Sequence, residues 1–111
     1  MAYLRKETET VEMDYALNRV WTAIRKVLTV LEWSTEQTDE AAHHLKAKTK
    51  SGFMSWSSVL LIDAVSINEK TTRVEVAAET PVTTITATVD FGRTRRRINQ
   101  FLLELSRELT T

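Results

Sequence analysis

The chain of 111 residues balances 15 Lys and Arg against 15 Asp and Glu, which removes the overall basic excess of a dedicated nucleic-acid binder. It has no cysteine, so a disulfide framework, a thiolate metal site and a cysteine nucleophile are all excluded. With 42% hydrophobic and 27% charged residues it reads as one globular domain over 1–111, and a chain of this size buries roughly 60 to 70 per cent of its unfolded surface without staples.

Residues 4–13, LRKETETVEM, alternate loosely and mix β-branched with charged side chains, which predicts a partly exposed strand. No signal-like apolar core precedes it, and nowhere does an apolar run reach the length of a membrane span, so a cytoplasmic chain with no transmembrane segment is expected. Asp14 then serves as the expected N-cap of a helix over 14–32, where Leu17, Val20, Trp21, Ile24, Leu28 and Leu31 form a stripe at helical spacing, broadened by Val27 and Val30. A large apolar ring inside such a stripe is core before it is anything else, and Trp21 is read so.

After Trp33 the helical period is lost, and STEQT leading into Asp39-Glu40-Ala41-Ala42 reads as a short strand and a turn. His44, Lys46, Lys48 and Lys50 alternate with Leu45, Ala47 and Thr49 in the next strand. His43 and His44 are adjacent, so on a strand they point to opposite faces and cannot share a metal. A glycine-centred connection follows, SGFMSWSS, which sets Phe53, Met54 and Trp56 within four residues. Three large apolar side chains on a surface connection form either a lid on the core or a contact point for a partner, a ligand or a membrane.

The apolar run Val59–Ile67 is the expected central strand, within which Asp63 must face away from the core or find a partner. Asn68-Glu69-Lys70-Thr71 makes a hairpin loop into a strand from Thr72 to Glu79 with one wet side. Pro81 should stop or kink that ladder for lack of an amide hydrogen, leaving 82–89 as a bent continuation or a separate edge strand. Ile98, Phe101, Leu102, Leu105 and Leu109 mark a closing helix over 93–109. Its first turn carries Arg93, Arg95, Arg96 and Arg97 where the helix dipole disfavours cations. The cluster therefore calls either for nearby carboxylates, of which Asp90, Glu75 and Glu79 are the candidates, or for a bound anion.

The fold class that follows is α+β: an antiparallel meander of five to six strands with both helices on one face and an open, polar opposite face bearing Lys46, Lys48, Lys50, Arg73 and Glu75. The order of elements, together with the closing Asp90, Gly92, Ile98, Phe101 and Leu102, resembles small uncharacterised bacterial domains that end in an Asp-x-Gly-x-Asn-like turn and a final helix, with Thr94 standing in place of the asparagine. It is similar in outline to the helix-grip domains of the polyketide-cyclase and lipid-transfer superfamily, whose long C-terminal helix crosses a curved sheet around an apolar cavity. The chain is shorter than those domains and lacks their pair of small helices after the first strand.

No phosphate loop, dinucleotide glycine pattern, nucleophile elbow or zinc-protease helix is present, and the sequence points to no catalytic residue, metal ligand or cofactor. Two functions stand. The first, favoured on sequence, is a non-catalytic interaction or structural module, a homodimer for example, that uses the open face or Phe53, Met54 and Trp56. The alternative, implied by the helix-grip resemblance, is a module for a small apolar ligand or lipid, with Trp21, Ile24, Leu61 and Phe101 as candidate pocket lining.

Overall fold

The computed structural model describes residues 2–49, 58–83 and 93–110. Five strands and two helices follow in the order β1 (Ala2–Met13), α1 (Leu17–Leu31), β2 (Ser34–Asp39), β3 (His44–Lys48), β4 (Val59–Asn68), β5 (Thr71–Thr83) and α2 (Arg93–Thr110). The strands form one antiparallel sheet in the order β1-β5-β4-β3-β2. Strands β2 to β5 are the expected meander, with short turns between β2 and β3 and between β4 and β5 and a longer connection, 49–58, between β3 and β4, whereas β1 pairs with β5 over its full length.

Alternation decides which side of the sheet each residue serves. Leu45, Ala47, Leu60, Ile62, Ala64, Val74, Val76 and Ala78 face the helices and are buried. Both helices pack on this side, α1 through Val20, Trp21, Ile24, Val27 and Leu28, and α2 through Ile98, Phe101, Leu105 and Leu109, in one continuous core.

Several local expectations change. Helix α1 begins at Leu17 with Ala16 as its N-cap and no side-chain cap, so Asp14 lies in the bend before the helix. The helix ends on Glu32 in the left-handed region at φ 61°, and the Trp33 amide donates to the Leu28 carbonyl at 2.9 Å, which turns Trp33 back into the core. Val30 faces solvent at 57% exposure, so the apolar stripe is narrower than the sequence suggests. Pro81 does not stop its strand: β5 runs through it to Thr83, with Pro81 opposite Leu4. The pairing with β4 ends at Glu79, so a proline beyond that point removes no ladder bond on the β4 side. Of 82–89, residues 82 and 83 are the continuation, and the remainder lies outside the described residues.

Candidate functional site

The two ends of the helix-facing side differ. At one end α1 and the β2–β3 turn close the sheet together. Trp21 donates its indole N–H to Glu40 Oε2 at 2.6 Å, Arg25 Nη1 donates to Glu40 Oε1 at 2.7 Å, and the His43 ring meets Trp21 edge to face with centroids 5.3 Å apart. His43 itself sits in the turn at φ 52°, its carbonyl accepting the Ala64 amide.

The other end is where β1 changes character. Met13 and Val11 pack against the core, and the unbroken register then brings Glu9 and Glu7 to the same side, both half-buried. Glu7 lies in a row with Ala78, Leu60 and Ala47, all three fully buried. Among the described residues it has no hydrogen-bond or ion-pair partner. Glu9 is taken by Arg95 of α2, whose Nη2 donates to Glu9 Oε2 at 2.6 Å while Nη1 donates to the Thr8 carbonyl at 3.4 Å. Glu9 is thus a carboxylate that offsets a cation at the helix start; Glu75 and Glu79 alternate to the opposite face of the sheet, and Asp90 lies outside the described residues.

Chain connectivity brings two predicted patches to this end. The connection carrying Phe53, Met54 and Trp56 leaves from Thr49 and returns at Ser58, whose backbones are joined by a 2.8 Å bond from Thr49 N to Ser58 O. The buried Thr49 hydroxyl also accepts the Ser58 amide at 2.8 Å, so the root of the connection is pinned. The connection from Thr83 to Arg93 leaves the sheet from the same end and delivers α2 at Glu9. Phe53, Met54 and Trp56 themselves lie outside the described residues, as do Asp90 and Gly92. Within the arginine cluster, Arg95 is paired, Arg96 is exposed and Arg97 is half-buried with a partner of its own; nothing is described of the Arg93 side chain.

Trp21, Ile24 and Phe101 meet in the single core, but Leu61 does not join them. It alternates with Leu60 and Ile62, and so sits half-buried on the opposite face of the sheet. Two open grooves are lined by α1. One of about 450 Å³ runs between α1 and the end of α2, past Asn18, Lys26 and Glu108; the other, of about 440 Å³, lies beside Trp21, Arg25 and Thr35. Both are floored by charged and hydroxyl side chains, and the first is bridged by Lys26 to Glu108 at 3.5 Å and capped by Arg19 on the Leu109 carbonyl at 2.8 Å.

On the opposite face His44 Nδ1 lies 2.7 Å from Asp63 Oδ1. Asp63 thus faces off the core and has a partner, both of which its position in an apolar run requires. Among the described residues no group of three or more His, Asp or Glu side chains is arranged to hold a metal ion, and no helix is long and apolar enough to cross a membrane.

A five-stranded antiparallel sheet gripped by a long C-terminal helix, with a second helix closing one end, defines a helix-grip fold. Solved structures share it over nearly the whole chain. Norcoclaurine synthase from Thalictrum flavum, in complex with dopamine and hydroxybenzaldehyde, superposes with a TM-score of 0.69 at 9% identity, covering 96% of this chain and 86% of the synthase. The aromatase/cyclase Zhui from a Streptomyces species gives 0.64 at 10% identity over 96% of each chain. A protein from Nitrosospira multiformis gives 0.66 at 12% identity, over 96% of this chain and 97% of the other. No protein-family model and no curated protein sequence matches the chain.

Proposed function

We propose that the chain is a ligand-binding helix-grip module that takes a small molecule with an apolar or aromatic body and a hydroxyl or amine. The ligand sits at the end of the sheet where α2 begins, against the Glu7, Ala78, Leu60 and Ala47 row, with Glu7 as acceptor for its polar group. The observation that carries this reading is the near full-length likeness to a fold whose solved examples include a synthase holding two small aromatic compounds. It lends more support to ligand binding than to the purely structural module favoured on sequence.

The local chemistry agrees with it. A half-buried carboxylate on the helix-facing side, without a protein partner among the described residues, loses part of its hydration for no compensating bond until something donates to it. In the same row as Glu7, Leu60 is flanked by the small side chains of Ala47 and Ala78. The connection whose sequence carries Phe53, Met54 and Trp56 starts at Thr49 and ends at Ser58, both at this end of the sheet.

The test is binding of anilinonaphthalene sulfonate and of hydroxybenzaldehyde to the full chain, followed by fluorescence and native mass spectrometry. A stoichiometric complex is expected, weakened at least tenfold when Phe53 and Trp56 are both changed to Ser, a loss equivalent to about 1.4 kcal/mol. Stability should change by no more than about 1 kcal/mol in that double variant. Binding that survives the double change, or a chain that takes up neither compound, would remove the reading.

A further inference from the structure

The face of the sheet turned away from the helices is arranged in columns by sign of charge. Strand β3 presents His44, Lys46 and Lys48, β4 presents Val59, Leu61, Asp63 and Val65, and β5 presents Arg73, Glu75, Ala77 and Glu79. Arg73 is satisfied by Glu12 at 3.3 Å and His44 by Asp63, but Lys46, Lys48, Glu75 and Glu79 have no ion pair among the described residues. The reason is geometric. The register sets Lys48, Val59 and Glu79 in one row and Lys46, Leu61 and Ala77 in the next, so the lysine and glutamate columns stand two strand spacings apart, roughly 10 Å, across an apolar strand. Within one copy Glu79 has Lys6 of β1 opposite it with no ion pair between them, and neither Lys46 nor Lys48 has a carboxylate opposite it on an adjacent strand.

We infer that this face binds a second copy of the chain, sheet against sheet, about a twofold axis lying between the sheets and parallel to β4. That operation lays β4 on β4, stacking Val59, Leu61 and Asp63 on their own counterparts, each Asp63 held by His44 of its own copy, and sets β3 of each copy over β5 of the other. Lys48 then stands across from Glu79 of the second copy in the same row, and Lys46 across from Ala77 with Glu75 and Glu79 of that copy on either side. Both sets of unpaired charges are answered at once, which is the self-complementarity a twofold interface requires. The other in-plane axis, perpendicular to the strands, would set lysine column on lysine column and is rejected by like charge. Leu61, left out of the core, and the half-buried Val59 next to it in the column form the apolar centre of the contact. A patch three strands wide makes a small interface, so the dimer is a weak one that exchanges with monomer.

The test uses sedimentation equilibrium of the full chain in low-salt buffer, at protein concentrations from about 10 to 500 µM, a range suited to small interfaces. The wild-type chain is expected to show a monomer–dimer equilibrium that weakens with added salt. Lys46→Glu with Lys48→Glu makes the β3 column acidic like that of β5, and Glu75→Lys with Glu79→Lys makes the β5 column basic like that of β3. Each double variant should be monomeric, with an unchanged circular dichroism spectrum, and an equimolar mixture of the two should associate again. A wild-type chain that stays monomeric throughout would overturn the inference. So would variants that still self-associate, or a mixture that does not.

Discussion

Removing the ring of Phe101 strikes the centre of the buried face of α2, because this is the largest fully buried side chain among the described residues. Phe101→Ala and Leu28→Ala should each cost about 2 to 5 kcal/mol in chemical denaturation, through lost burial and the cavity left behind. A loss under about 0.5 kcal/mol at both would contradict the packing described. Glu40→Ala is a finer probe, since it takes the acceptor from both Trp21 and Arg25 while leaving the apolar contacts alone. A loss near 1 kcal/mol is expected, discounted because the Glu40 side chain is more than half exposed, with Glu40→Gln retaining part of it. An Ala variant as stable as wild type would mean that the indole N–H finds water equally well.

Residue identity made much of this legible, and parity could have supplied more. Ile98, Phe101, Leu105 and Leu109 announce themselves by helical spacing, and they are the buried face of α2. Glu7 and Glu9 share parity with Val11 and Met13, so the sequence already places them on the core side of β1; the polar and charged neighbours Lys6, Thr8 and Glu12 hid it. Leu61 was misplaced for the opposite reason. Val59–Ile67 is apolar at nearly every position and gives no clear alternation, and the one charge in it, Asp63, carries the parity that puts Leu61 on the outer face. Glu40 was not foreseeable as the partner of Trp21, since that bond depends on how the β2–β3 turn folds over α1.

Among the elements, α2 is the one whose start runs against its own dipole. Arg95 is tolerated there because Glu9 from β1 meets it, and the pair fastens the first turn of the helix to the sheet. Arg95→Gln should change global stability by less than about 1 kcal/mol, as befits a pair that is about one-third exposed. It should nevertheless speed amide hydrogen exchange in the first turn of α2 relative to its last. Equal exchange at both ends would show that packing alone holds the start of the helix. The strand pattern was readable element by element, from β2 through the Asn68–Thr71 turn to β5, because each is a local hairpin. The pairing of β1 with β5 was not, because it joins residues some seventy positions apart and no local signal selects the partner. Pro81 misled for a related reason: whether a proline breaks a strand depends on which side has a neighbour.

At the scale of the whole molecule we assign the two faces of one sheet to different ends, the helix-facing side to a small ligand and the outer side, with its charge columns, to a second copy. The two lie on opposite sides of the same strands, so self-association should leave ligand affinity unchanged within about twofold, read by titrating the acidic double variant beside wild type. The most direct check on the central claim is an amide NMR titration of the full chain with hydroxybenzaldehyde. The account predicts that shifts concentrate at Glu7, Glu9, Leu60, Ala78 and Arg95 and spare Asn18, Lys26 and Glu108. Shifts confined to the groove between α1 and α2, or a spectrum left unchanged at saturating compound, would contradict it.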